Sequence, residues 1–121
     1  MNKVTLSEKF AKFDEQWSPK IIGETNGQLV KIAKVQGEFV WHAHDDEDEL
    51  FLVIKGKLVI EFRDGKVELH PGEMCIVPKG VEHRPMADEE THILLIEPGS
   101  TAHTGRTVTD VTVPIDRQEW I

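Results

Sequence analysis

Two histidines and a glutamate carry the chemistry of this chain. His42 and His44 stand two residues apart, so on an extended backbone both imidazoles point to one face. Glu49 follows the acidic stretch Asp45–Asp48 and begins the apolar run Leu50–Ile54. Two ring nitrogens and a carboxylate that converge inside a sheet suit a first-row divalent metal ion, which takes nitrogen and oxygen ligands together. By local spacing alone, an exposed histidine pair on an edge strand is an equal alternative. Of the six histidines, His70, ahead of Pro71-Gly72, and His103, in a polar tail, read as solvent-facing. The single cysteine, Cys75, excludes an intramolecular disulfide, fits a reducing compartment and reads as a packed thiol.

The elements that must position these groups are short strands. Thr5-Leu6-Ser7-Glu8 matches a capping box, and Leu6, Phe10, Phe13 and Trp17 recur at helical spacing. This predicts a helix over about residues 6–13, packed on the outside of a sheet, with Trp17 as a core anchor. From Lys20 the period changes. Ile21-Ile22, Asn26-Gly27 and Leu29–Val35 read as a β-hairpin with a type I′ turn. Val30, Ile32 and Lys34 share one face, and Leu29, Lys31, Ala33 and Val35 the other. Strands are then predicted over Phe39–His44, Glu49–Ile54, Leu58–Phe62, Val67–His70, Met74–Val77 and His92–Glu97. Asp64-Gly65 is a second hairpin signal, and Ala87–Glu90 reads as an acidic turn. Strands at this rhythm, each closed by Gly, Pro, Asn or Asp, mean an antiparallel sandwich or barrel. In the tail, residues 99–121, Val108, Val111, Val113 and Ile115 could form a strand, and Trp120 and Ile121 should dock on the barrel or on a second subunit.

Composition bounds the rest. The 121 residues, 39% of them hydrophobic, suffice for one domain with a core. A formal charge of −8 disfavours nucleic acid and anionic membranes as partners. The N-terminal residues lack a signal-peptide pattern and no segment reaches the ~20 apolar residues of a spanning helix, so a cytoplasmic protein is expected.

A second motif joins the first. Gly72, Pro78, Gly80 and His83 lie at fixed offsets: glycine, five residues, Pro-x-Gly, two residues, histidine. With this, the chain resembles a small single-domain cupin. The family's first motif is matched by Gly37, His42, His44, Glu49 and Gly56, with four residues between His44 and Glu49 and six between Glu49 and Gly56. The interval from Gly37 to His42 is one residue shorter than the usual pattern, and Ala87 replaces an asparagine common after the second-motif histidine; neither position supplies a ligand. The resemblance implies an all-β fold, an antiparallel double-stranded β-helix or jelly-roll barrel with a short N-terminal helix. It divides the chain into a helix (6–13), a barrel (20–98) and a tail (99–121). It also implies His42, His44, Glu49 and His83 as ligands of one divalent transition metal per chain (Fe, Mn, Ni, Co or Zn). Strand parity does not separate Glu49 from Glu47 across the turn; the family spacing selects Glu49.

An inward Glu49 takes Phe51 and Val53 with it, and Val40 shares the parity of the histidine pair. Met74 and Ile76, or else Cys75 and Val77, face the pocket; His92, Leu94 and Ile96 form one face of the late strand. The pocket candidates are therefore Val40, Phe51, Val53, Met74, Ile76 and Leu94. Glu49 is a candidate proton acceptor, and His92 a second candidate catalytic group against the plainer reading of a hydrogen-bonded histidine. Trp41 should point away from the metal, and Lys79 and Arg84 should lie on the surface. Fold does not give function. The first reading is a mononuclear metal-dependent enzyme, dioxygenase-like, acting on a small and largely apolar organic ligand. A sugar-phosphate isomerase-like activity ranks lower, because the pocket positions offer no Arg or Lys for a phosphate. A non-catalytic metal- or ligand-binding module is the third reading. The resemblance further implies a homodimer, for which Leu50, Leu52 and Ile54 offer an apolar surface.

Overall fold

The computed structural model describes residues 1–100, Gly105 and 118–121. A five-residue helix, α1 (Leu6–Phe10), precedes eight strands: β1 (Lys20–Thr25), β2 (Gln28–Glu38), β3 (Glu49–Lys55), β4 (Leu58–Phe62), β5 (Gly65–Leu69), β6 (Met74–Val77), β7 (His83–Pro98) and β8 (Glu119–Trp120). The expected all-β cupin architecture is present, as a sandwich whose sheet does not close; β5, β6 and β8 are its edges among the described residues. The predicted tail strand (Val108, Val111, Val113 and Ile115) and His103 lie outside the described residues.

The sixteen-residue β7 organises the sandwich. Its first half pairs with β4 and its second half with β3, while β2 follows it along the other edge. The β2/β7 register slips between Val35 and Gly37, where Gly37 takes φ +85°, so the ladder bends from one layer to the other. This corrects the expected turn at Ala87–Glu90. Those residues lie within β7, because the three acidic side chains point to solvent at the bend while Ala87 packs inside. The Asn26-Gly27 hairpin forms as predicted, with φ +52° and +78° at its two turn residues. The second hairpin turns one residue early: Phe62 pairs with Gly65, leaving Arg63-Asp64 as the loop.

The main core lies between the layers. Ala33 and Val35 of β2, Phe51 and Val53 of β3, Leu58 and Ile60 of β4, and Ile93 and Leu95 of β7 meet there. A second cluster covers the outer face of β2, where Phe10 and Phe13 pack on Ile32 with Ile54, Leu94 and Ile121 at the margin. Both faces of β2 are thus buried, which resolves the alternation seen in Leu29–Val35. Burial of Ile32 contributes roughly 1.5–3 kcal/mol.

The helix is shorter than the predicted span of 6–13. Thr5 is extended at φ −102° but makes no side-chain cap, so the capping-box hydrogen bond is absent. Phe13 still packs in the outer cluster from beyond the helix end. Trp17 leaves that stripe: its backbone turns through φ +56° and its side chain packs against the main core instead. Of the two C-terminal residues expected to dock, Ile121 packs on the outer cluster and its backbone oxygen accepts from Lys9 Nζ at 2.7 Å, whereas Trp120 pairs with β1 through its backbone and stays 60% exposed. Among the described residues no helix is long and apolar enough to cross a membrane.

Candidate metal centre

The four candidate ligands come from three places in the fold. Glu49 opens β3 and points inward with Phe51 and Val53, the buried parity of that strand. His83 opens β7 and is fully buried. His42 and His44 sit on the segment between β2 and β3. The predicted strand over Phe39–His44 does not form; that segment makes only an isolated bridge, His42 to His83. Two backbone hydrogen bonds build the bridge, His42 N to His83 O at 3.1 Å and His83 N to His42 O at 2.9 Å. Gly80 N donates to the His44 carbonyl at 2.7 Å, so the Pro78-Lys79-Gly80 turn braces the same segment. The same-face reading of the pair holds without a ladder: both imidazoles are buried, and their rings lie 5.0 Å apart.

One ligand atom from each of His42, His44, Glu49 and His83 lies within 4.8 Å of the others. The ring tautomers follow from the backbone. His42 Nδ1 donates to the Val40 carbonyl at 2.9 Å and His83 Nδ1 to the Val81 carbonyl at 3.0 Å, which leaves Nε2 of each as a lone pair. His83 Nε2 and both nitrogens of His44 are buried without a hydrogen-bond partner. Unpartnered buried polar atoms are costly and rare. Here they converge on one carboxylate: His44 Nε2 and His83 Nε2 each lie 3.5 Å from Glu49 Oε1. This donor set fits a divalent first-row ion, which lies about 2.0–2.2 Å from such ligands.

Burial, followed by the neighbouring His83, lowers the His42 pKa to about 4, so this imidazole is neutral and ligand-competent. Burial alone would raise Glu49, but the polar groups packed around it, Glu97, His44 and His83, outweigh it and hold the carboxylate well below its ordinary range.

Beside the ligands lies a cavity of about 40 Å³. At 10–15 Å³ for each water-sized centre, it holds about three such groups. Its wall is mostly apolar (Ala33, Val35, Phe39, Phe51, Ile93 and Leu95), with Trp17, Pro19 and Pro85 also lining it and His42, Glu49 and Glu97 as the polar members. Trp17 stacks on Phe39 at 4.5 Å, and its Nε1 donates to the Gln36 carbonyl at 2.8 Å.

Of the pocket residues expected from the sequence, Phe51 lines this cavity. Val53 is buried deeper in the core. Val40 is half-buried and meets the site through its carbonyl. Met74 and Ile76 are corrected: they are 51% and 52% exposed, because β6 turns Cys75 and Val77 inward. Leu94 is corrected for the same reason of parity. The inward residues of β7 are Ile93, Leu95 and Glu97, and Leu94 packs in the outer cluster. His92 shares that outer parity; it stacks on Phe10 at 4.4 Å, away from the ligands, and burial lowers its pKa. Burial likewise raises the Cys75 thiol. Trp41 points away from the ligands and carries the Arg63 guanidinium over its ring at 3.9 Å. His70 is exposed, as is Lys79, whose N–H donates to Asp48 Oδ1 at 2.9 Å.

The sequence reading missed Lys31 and Glu97. Lys31 Nζ and Glu97 Oε1 form a buried ion pair at 2.8 Å. Glu97 Oε2 has no hydrogen-bond partner among the described residues. Burial and then the charge of Glu49 hold the Glu97 carboxyl well above its ordinary range. The signal lay in the alternation: Lys31 shares the face of Ala33 and Val35, and Glu97 that of Ile93 and Leu95.

Comparison with known proteins agrees with this geometry. Residues 28–97 match the cupin domain family. The chain belongs to the cupins. It is 37% identical over 93 residues to the uncharacterized protein YdbB of Bacillus subtilis strain 168, covering 76% of each chain. A cupin-2 domain containing protein from Shewanella frigidimarina NCIMB 400 superposes with a TM-score of 0.78 at 52% identity, over 78% of this cupin and 93% of that chain. Hydroquinone 1,2-dioxygenase PnpCD, solved with Cd²⁺ and 4-hydroxybenzonitrile, shares the fold at a TM-score of 0.64 and 22% identity, over 74% of this cupin and 69% of that chain.

Proposed function

We propose that this cupin is a mononuclear metal-dependent enzyme, dioxygenase-like, that acts on a small, largely apolar organic ligand. The observation that carries the reading is the convergence of unpartnered buried imidazole nitrogens on Glu49 at the wall of an apolar cavity. Buried polar atoms without a partner are few in folded proteins, and here three of them belong to two neighbouring imidazoles. A divalent ion held by His42, His44, Glu49 and His83 would supply Lewis acidity and an open position for a ligand oxygen. The chain's own residues would do the rest. The carbonyls of Val40 and Val81 fix the ring orientations. Phe39, Phe51 and Leu95 exclude water and favour a flat apolar body. Glu49 offers the nearest carboxylate oxygen for a ligand proton.

The cavity wall carries no Arg or Lys among the described residues, which ranks a sugar-phosphate isomerase-like activity lower, since a phosphate calls for such groups. Measurable interconversion of mannose and fructose 6-phosphates would reverse that order. A non-catalytic binding module keeps the same site and predicts ligand affinity without turnover.

The test is elemental analysis of protein purified without chelator, followed by oxygen-consumption measurements on protein loaded with Fe²⁺, Mn²⁺, Ni²⁺ or Co²⁺. The panel is catechols, enediols and hydroquinone, the last because a cupin of the same fold acts on it. Oxygen uptake with at least one substrate is expected, and no uptake across the panel refutes the enzymatic reading.

We also propose that the protein pairs through the outer face of β3 and β6. Leu50 stands opposite Ile76, and Leu52 opposite Met74, so two exposed and two half-buried apolar side chains form one patch. Ile54, expected in this surface, is covered by the α1 cluster instead.

A further inference from the structure

We propose that the groove between α1 and the outer face of β2, β7 and β3 is a binding site for a small organic carboxylate with an apolar body, whose charge meets Lys34 and Lys55. The groove lies on the opposite face of these strands from the metal centre and is independent of it.

Three nitrogen-bearing side chains form one row across three neighbouring strands. The β2/β7 register sets Lys34 opposite His92, and the β3/β7 register sets Lys55 opposite the same His92. Strict alternation from the buried Val53 would turn Lys55 inward. The register instead slips between Val53 and Lys55, and this bulge puts Lys55 beside Ile54 in the outer groove. Neighbouring strands lie about 4.8 Å apart, so the two lysine backbones stand about 10 Å from each other. Two flexible four-carbon stems can close on one anion across that span.

The row has no counter-charge of its own. Lys34 is 9% exposed; its Nζ donates to the Phe13 carbonyl at 2.6 Å and lies 5.0 Å from the centre of the Phe13 ring. That bond fixes the ammonium group and uses one of its three donors. Lys34 and Lys55 form no ion pair among the described residues, and the half-buried His92 ring makes no hydrogen bond among them. Glu15 feels the Lys34 charge but lies 3.6 Å from Lys20 instead. Burial, then Lys34, lower the His92 pKa, and Lys55 adds to them against Glu90, so both ammonium groups act on the ring between them. Like charges side by side on a sheet are destabilising. The chain has 22 acidic against 14 basic residues, yet no carboxylate lines this groove among the described residues.

The groove has a volume of about 390 Å³, within the range of small-molecule sites. Phe10, stacked on His92 at 4.4 Å, and Ile54 give it an apolar wall beside the cations. An inorganic anion would leave that wall wet, and an uncharged apolar molecule would leave the lysines unpaired. A carboxylate on an apolar body answers both, with its two oxygens available to the two ammonium groups.

The test is an NMR titration of the metal-free protein with benzoate, with benzamide (the same ring without the charge) and with inorganic phosphate (charge without the ring). Wild type is compared with Lys55→Gln, Lys34→Met and the control Lys66→Gln, which removes the same charge from an exposed position on β5. Benzoate should bind saturably and shift the resonances of His92 and Phe10 but not those of His83. Benzamide and phosphate should each bind at least about tenfold more weakly. Lys55→Gln, at an exposed position where folding is not at stake, should weaken benzoate about tenfold, the low end for a hydrogen bond to a charged group. Lys34→Met should weaken it at least as much, and Lys66→Gln should bind as wild type does. The inference is overturned by absence of saturable benzoate binding, by equal binding of benzamide or phosphate, by shifts centred on His83, or by a Lys55→Gln affinity equal to that of Lys66→Gln.

Discussion

Replacing His44 by leucine should move stability in opposite directions with and without metal. His44 is 4% exposed, and neither of its ring nitrogens has a hydrogen-bond partner. Its nearest polar neighbour is Glu49 Oε1 at 3.5 Å, too long to satisfy the nitrogen. An unsatisfied buried polar group costs about 1–3 kcal/mol, and leucine fills nearly the same volume without one. Allowing for the weak attraction to Glu49 that leucine cannot make, the metal-free variant should gain about 1–2 kcal/mol. For a chain of this length that is a rise in melting temperature of about 4–8 °C.

With metal the sign reverses. At a free ion concentration 100-fold above Kd, wild type gains about 2.7 kcal/mol, or about 11 °C. If losing one ligand weakens binding by about 100-fold, the variant gains only about 0.4 kcal/mol, under 2 °C. Scanning calorimetry of wild type and His44→Leu, each with chelator and with excess Co²⁺, gives all four values. A metal-free variant that melts below wild type would show that the imidazole is satisfied in the empty protein. An undiminished metal increment would remove His44 from the ligand set.

Three further outcomes follow from the geometry. Because burial lowers His42 to about 4 in the fold against ~6.5 in the unfolded chain, the unfolded state binds more protons between these values. Stability of the metal-free protein should therefore be complete above pH ~6.5 and fall by about 3 kcal/mol as pH drops to ~4, read as urea midpoints, and a flat profile would contradict it. Glu49, held low, loses stability in the same direction; Glu97, held high, runs the opposite way. At Gly56, φ is +92° and an added Cβ would sit 2.5 Å from Thr91 Oγ1 and 3.0 Å from its Cα, so Gly56→Ala should cost about 2 kcal/mol of unfolding free energy; an unchanged midpoint refutes the close approach. Finally, Ile76→Asp should convert a dimer to monomer by light scattering with its metal-free melting temperature little changed, and a monomeric wild type would dismiss the β3/β6 interface.

Much of this was legible in the residues. The Asn26-Gly27 turn, the strands Glu49–Ile54 and Leu58–Phe62, and the inward parity of Glu49 and Phe51 follow from period-two patterning and turn chemistry, which are local. What was misread depends on neighbours distant in sequence. Asp88-Glu89-Glu90 reads as a turn because nothing local reveals that the residues on both sides of it, Met86-Ala87 and Thr91 onward, pair with the same strand β2. Phe39–His44 has strand composition but pairs only through His42 and His83. The short run Met74–Val77 is apolar on both parities, so only pairing with β3 decides which side is wet. Glu97, at the end of an apolar strand beside Pro98, reads as a polar terminus until Lys31 is placed beside it by the fold.

The way the ligands are divided among elements bears on how the site works. Glu49 and His83 belong to strands, Glu49 paired with β6 and His83 with β4. Their positions are set by ladders that also build the core. His42 and His44 hang on a connecting segment that is held by backbone hydrogen bonds at Phe39, His42 and His44 and forms no ladder. Side chains on strands hold geometry more closely than those on irregular backbone. That segment also carries Trp41 outward against Arg63 and Arg84, so the four candidate ligands divide between strand positions set by the core and a connecting segment braced from its outer side.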